Sequence, residues 1–303
     1  MAALSIGATV GFHYSIPFGS FFIAAASVIV IGFAIFIALK LVTATRREVP
    51  LDLISFAGFA AAVLLIALQW AVIMWLKVML PLSVGFWADP ALANVDHALF
   101  QAEPWRVANA VFGWATPAMD RIYASWAPVK FAILCGVVLA PQSQLKTRAL
   151  ISYFLFGAAC SFLQYALPSA GPVFFAALGH GDRFSALQVQ PWVETARDYL
   201  WRDYLEAGGH IGSGISAMPS VHVAAGLWIA LVVRAYFPRL QLLGFAYFGA
   251  IFIGSVLLGW HYAVDGIASC AITMAAWQVA AWHIAAKRNP RGQREESGIE
   301  EYA

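Results

Sequence analysis

The sequence predicts an all-α, multi-pass transmembrane helical bundle of about seven spans, and three observations predict it. Hydrophobic residues make up 61% of the chain and charged residues only 11%, against about 25% charged in a soluble domain. The apolar residues gather in long runs, and Lys and Arg collect in alternate connecting segments. With so little polar side chain to cover a wet surface, lipid must be the solvent for much of the chain. A net charge of +2 is too small to recruit a polyanion, so no nucleic-acid partner is expected.

A helix needs roughly 20 apolar residues to cross the hydrocarbon core. Seven stretches meet or approach that length: 20–42, 53–76, 122–140, 149–167, 220–237, 240–259 and 262–286. The sixth and seventh nearly touch, which predicts a tight turn near Trp260. No basic flank, short apolar core and small-residue cleavage site opens the chain, so no removable signal peptide is expected. Residues 1–48 are assigned to an N-terminal segment with an extra helix, 49–286 to the catalytic membrane domain and 287–303 to a cytoplasmic polar tail, expected to be disordered after Pro290.

Cytoplasmic loops collect Lys and Arg. Arg46 and Arg47, Lys146 and Arg148, Arg234 and Arg239, and finally Lys287, Arg288, Arg291 and Arg294 all fall on one side of an alternating seven-span path. The N-terminus is therefore expected outside and the C-terminus inside. Two long outer loops, 86–121 and 174–214, are rich in aromatic residues. Pro104 precedes one expected amphipathic helix, and 191–206 is expected to form another at the membrane interface. There Trp192, Tyr199, Trp201 and Tyr204 suit the head-group layer. Residues 208–214 read as a flexible, Gly-rich connector. Cys135, Cys160 and Cys270 lie in apolar runs without metal-ligand spacing and read as free, buried thiols.

Two segments interrupt the apolar background. Ser216-Ala-Met-Pro-Ser-Val-His222 opens the fifth span and Trp260-His-Tyr-Ala-Val-Asp265 opens the seventh, both at outer helix ends. The path down from His222 and back through Gly259 returns His261 to the same level. Ser220 is a natural N-cap after Pro219, and the first-turn N–H groups carry the positive end of the helix dipole, which suits a phosphate. His261 and Asp265 are four apart, so on one helix face the carboxylate can accept the imidazole Nδ1–H and leave Nε2 as a nucleophile. Alone, either histidine would be an ordinary packing or hydrogen-bonding residue; ionisable groups near membrane depth, recurring at matched helix ends, point to function. His13, His97, His180, His210 and His283 are assigned no role.

Ala217-Met-Pro-Ser-Val-His222 and His261-Tyr-Ala-Val-Asp265 resemble the two histidine motifs of the phosphatidic acid phosphatase type 2 superfamily, specifically the M-P-S-x-H and H-Y-x-x-D forms of its inositol phosphorylceramide synthase-like branch. Tyr165-Ala-Leu-Pro-Ser-Ala-Gly-Pro172 is similar to that branch's Pro-rich segment, and the resemblance covers roughly residues 120–285. It implies a six-helix core and a metal-free, cofactor-free reaction through a phosphohistidine, with His261 as nucleophile, Asp265 orienting it, and His222 as general acid and then base. Ser220 and its helix N-terminus would help hold the phosphoryl oxygens.

Many phosphatases of the superfamily carry Ser-Arg seven and six residues before the second histidine, where this chain has Gly254 and Ser255. The Lys/Arg-Pro first motif is also absent. Both departures favour the synthase-like branch and leave the phosphate's cationic partner open among Lys130, Arg183, Arg197 and Arg202, each of which also reads as a snorkelling or surface residue. Tyr262 reads as packing beside the site.

The expected function is a membrane lipid phosphotransferase moving a phosphoryl-linked head group from a phospholipid or sphingolipid to an alcohol, at the outer face of a bacterial inner membrane. The alternative is a phosphatase of the same superfamily, with water as acceptor. A transporter would place its ionisable groups near the bilayer midplane, whereas here they cluster at one face. A catalytically dead lipid-binding scaffold would not need all of His222, His261 and Asp265.

Overall fold

The computed structural model describes residues 53–206 and 212–288, together with positions 23, 26, 27 and 30 of the first apolar run. The rest of the span expected over 20–42, His13, His210, Arg46, Arg47, Arg291, Arg294 and the tail beyond Arg288 lie outside the described residues. The helices are α1 (Leu53–Ser83), α2 (Asp89–Phe100), α3 (Pro104–Phe112), α4 (Thr116–Ala124), α5 (Trp126–Leu139), α6 (Gln144–Ala166), α7 (Pro191–Glu206), α8 (Val221–Tyr236), α9 (Gln241–Leu257) and α10 (Ala263–Arg288). No strand occurs among the described residues, so the predicted all-helical membrane bundle is what the chain forms.

Four stretches are long and apolar enough to cross a membrane, three within α1, α6 and α10 and one formed by α9 with the short turn Pro238–Leu240 before it, and the pair α3–α4 plus α5 makes a fifth if its 44° bend belongs to one span. The uninterrupted span expected over 122–140 is thus broken, and its sequence supplies the cause. Pro128 has no N–H to donate, and its ring excludes the carbonyl of the residue four before it, Ala124, from a straight helix. Ser125 sits at the break and its hydroxyl donates to Ile122 O at 2.6 Å, beside its own N–H, which reaches the same carbonyl at 3.1 Å. Helix α8 has 16 residues. That gives about 24 Å at 1.5 Å per residue, short of a full hydrocarbon core of about 30 Å.

The described residues form two compact units, one from residues up to Asn94 with Ser161–Met218, the other from Val95–Cys160 with residues from Pro219 onward. In the second, α8 is apolar all round and buried from Val223 to Val232. Trp228 Nε1 donates to Ala149 O at 3.1 Å, and its ring packs on Tyr153 and Phe156. Lipid offers no hydrophobic drive between helices, so close approach and polar links must hold them. Gly244 supplies the approach: a Cβ there would lie 3.2–3.3 Å from Val233 and Ala230 of α8. Polar links come from Thr273 Oγ1 to Ala224 O at 3.3 Å and from Arg148 Nε to Trp277 O at 3.1 Å.

In the first unit the Pro-rich segment after α6 is held by Asp89, whose two oxygens accept from Ala170 and Gly171 N–H at 2.8 Å each. Ser169 in turn receives Ala217 N–H at its carbonyl, 2.8 Å, and Met218 N–H at its hydroxyl, 3.0 Å. The described end of the connector is therefore pinned. Gly214 has φ +96° and presses on Lys77 of α1 so closely that a Cβ would meet Lys77 at 2.8 Å. The helix expected over 191–206 is observed as α7, yet Trp201 and Tyr204 pack on Phe174 and Phe86 while Trp192 and Tyr199 stay exposed. The cysteines are free as expected, but only Cys160 is buried; Cys135 is exposed and Cys270 half-buried, because their helix faces turn outward from the apolar packing.

Gly214→Ala should cost about 1–3 kcal/mol, combining a left-handed backbone with an overpacked contact. Gly212→Ala, at φ +81° with nothing within 4 Å, should cost less. Melting temperatures of the two variants in detergent check the order.

Candidate active site

The two motifs are brought together by ordinary helix-end chemistry. Ser220 caps α8, its Oγ accepting from Val223 N–H at 3.3 Å, as Pro219-Ser220 suggests. The Ser220 N–H points at Asp265 O, 3.5 Å away, joining the first motif to the second. Gly259 takes φ +75°, turning the chain sharply after α9, and His261 N–H donates to Ser255 O at 3.1 Å. Helix α10 then begins at Ala263.

His261 consequently precedes the helix rather than lying on its face. The contact with Asp265 still forms: Nδ1 and Oδ2 are 3.4 Å apart, with the imidazole 4% exposed and the carboxylate fully buried. The same Oδ2 accepts from Tyr262 N–H at 2.9 Å. A third-residue carboxylate reaching back to the N–H just before its helix is half of a capping box. Asp265 thus closes the turn and sets the same oxygen against the ring.

The His222 and His261 ring centroids are 5.6 Å apart, at 59°. His222 is also bracketed by two aromatic residues that sequence reading missed. Tyr123 stacks on it at 4.8 Å and 20°, and Trp126 meets it at 4.2 Å and 59°. They are three apart across the Ser125 break, and no motif marks them; only the fold brings α4 and α5 to the histidine.

Among the suggested cations, Lys130 shares a unit with the histidines. It is 1% exposed rather than snorkelling, and its ammonium sits 4.2 Å from the centroids of both Trp126 and Phe131, where the ring faces attract it. Trp126 therefore touches both Lys130 and His222. The other three belong to the first unit. Arg183 donates to Asn94 Oδ1 and Ala93 O at 2.8 Å each, Arg197 pairs with neighbouring Asp198, and Arg202 is exposed on α7. Ser255, at the position where phosphatases of the superfamily carry Arg, is fully buried and donates to Phe252 O at 2.7 Å. Tyr262 is buried beside the carboxylate, as expected. His180 packs on Phe175, and His97 lies 3.3 Å from Glu103. Among the described residues, no group of three or more His, Cys, Asp or Glu side chains converges as a metal ion requires.

Fold and site together define an integral membrane protein with a close pair of imidazoles at neighbouring helix ends, His261 buried and His222 half-buried. The sequence is more particular. Residues 90–279 match the sequence profile of the PAP2 superfamily, more than half of the chain, and the protein belongs to that superfamily. The match opens at α2, thirty residues before the motif resemblance does. Members are generally phosphatases or phosphotransferases acting on lipid phosphates in membranes. No curated protein and no solved structure matches the chain.

Replacing Trp126 with Ala should free the His222 ring and lower turnover of a lipid phosphate about tenfold, while Trp126→Phe keeps an aromatic face and most of the rate. Steady-state assays of the two purified variants test this.

Proposed function

We propose that the chain is a membrane lipid phosphotransferase working through a phosphohistidine, and the observation that carries this is the 5.6 Å separation of two imidazoles with a carboxylate 3.4 Å behind the second. His261 Nε2 attacks phosphorus as the bond to the donor's leaving oxygen breaks, and protonated His222 gives its proton to that oxygen. His222, now neutral, takes the proton of an acceptor hydroxyl whose oxygen attacks phosphorus. The N–P bond breaks and both histidines return to their starting states. Asp265 holds Nδ1–H so that Nε2 carries the lone pair.

Ser220 Oγ, which accepts from the α8 backbone, keeps its own hydrogen to donate to a phosphoryl oxygen. Lys130 is the favoured positive partner, because its ammonium shares the Trp126 ring with His222, while Arg183 and Arg197 are engaged elsewhere. The donor would be a phospholipid or sphingolipid and the acceptor an alcohol. The missing Arg at position 255 supports transfer over hydrolysis by water, the alternative within the superfamily. The alternation of basic segments supports an outward-facing site in a bacterial inner membrane, with 49–286 as the catalytic domain, 1–48 as an added segment and 287–303 as a cytoplasmic tail.

Purified protein incubated with a lipid panel, with and without lipid alcohols, gives the test by mass spectrometry. A new phospholipid that needs the alcohol is expected; free phosphate alone would mean a phosphatase. His261→Ala should abolish either product, and a variant that still turned over would end the proposed mechanism. Asp265→Asn should lower kcat by about 10²–10⁴ by favouring the wrong tautomer.

A further inference from the structure

We infer that Asp96 is a positioning residue for the His261–Asp265 pair, an inference that rests on the proposed reaction. Asp96 lies on α2, more than 160 residues from the second motif, and is only 4% exposed. Its Oδ2 accepts from Ala263 N–H at 2.7 Å and its Oδ1 from Val264 N–H at 2.9 Å. These are the first two N–H groups of α10, lying between His261 and Asp265. A carboxylate this deeply buried is tolerated where ionic hydrogen bonds and the positive end of a helix meet it.

Two consequences follow from that geometry. The N-terminus of α10 is occupied by the chain's own carboxylate, so the substrate phosphate is left to the N-terminus of α8 beside Ser220. The turn bearing His261 is also fixed at each end: Ser255 O takes the His261 N–H, and Asp96 takes the two N–H groups immediately beyond Tyr262. Two parallel bonds from one planar carboxylate set the rotation of the α10 start about its axis. That rotation determines where the Asp265 oxygen meets the imidazole. Asp96 itself need not touch substrate.

The test uses the full chain in detergent micelles, with dioctanoyl phosphatidate as donor probe, a short-chain lipid alcohol as acceptor, and the donor's loss followed by mass spectrometry. Turnover by the wild type but not by His261→Ala fixes the baseline. Asp96→Asn offers one acceptor oxygen and turns an NH2 toward the second N–H; its kcat should fall about tenfold to a hundredfold with KM within about twofold. Ala263→Pro is a second variant that leaves Asp96 intact. It deletes one of the two N–H donors at a first-turn position where proline is tolerated, and an intermediate loss of kcat is expected. Thr273→Val, which removes a bond from the middle of the same helix, serves as the control for lost stability alone.

Wild-type kcat in both Asp96→Asn and Ala263→Pro would overturn the inference while leaving the proposed reaction standing. So would an equal loss of kcat in Thr273→Val at a matched fall in melting temperature. A wild type no more active than His261→Ala would sink the proposed reaction, and this inference with it.

Discussion

The turn between α9 and α10 depends on a buried carboxylate. Asp265 is fully buried, and an isolated charge there would be costly. It is accommodated because one oxygen receives the Tyr262 N–H and lies against the His261 imidazole, at the end of a helix whose dipole favours negative charge. Through its backbone carbonyl it also meets the cap residue of α8. Local hydrogen bonding, packing and the candidate chemistry therefore converge on one side chain, and the two motifs cannot be understood as separate devices.

Much of this was legible because it is local. Pro219-Ser220 marks the start of α8, Pro191 that of α7, and the long apolar runs mark the helices apolar enough to cross a membrane. What escaped reading depends on distant partners. Asp89 and Asp96 look like surface acids of a loop, but each binds two successive N–H groups from segments far along the chain. Tyr123 and Trp126 carry no pattern that distinguishes them from the other aromatic residues of an apolar helix. The break at Ser125 could have been anticipated from Pro128, since a proline four residues into a run conflicts with the preceding carbonyl. The helical-face argument for His261 and Asp265 reached the right contact by the wrong geometry, because a turn ending in a capping carboxylate brings the same two residues together.

The bundle around the site is assembled under the rules that lipid imposes. Apolar surface alone does not bring helices together there, so small residues and backbone-directed polar groups do. A Cβ at Gly266 would lie 2.6 Å from the Phe252 ring, and this close crossing of α9 and α10 sits one residue beyond Asp265. At the opposite end of α5, Lys146 closes the helix by donating to Val138 O at 2.7 Å and Ala140 O at 2.9 Å. The first lets two helices approach closely, and the second satisfies two carbonyls at a helix end.

Trp126 gives the centre an optical handle of its own. Its indole faces an ammonium and lies against an imidazole, two groups that alter indole emission on contact. The chain has twelve tryptophans, so the relevant signal is the difference spectrum between the native protein and one lacking that ring. Light absorbed by a single residue can thus report events at the paired histidines without any label being attached.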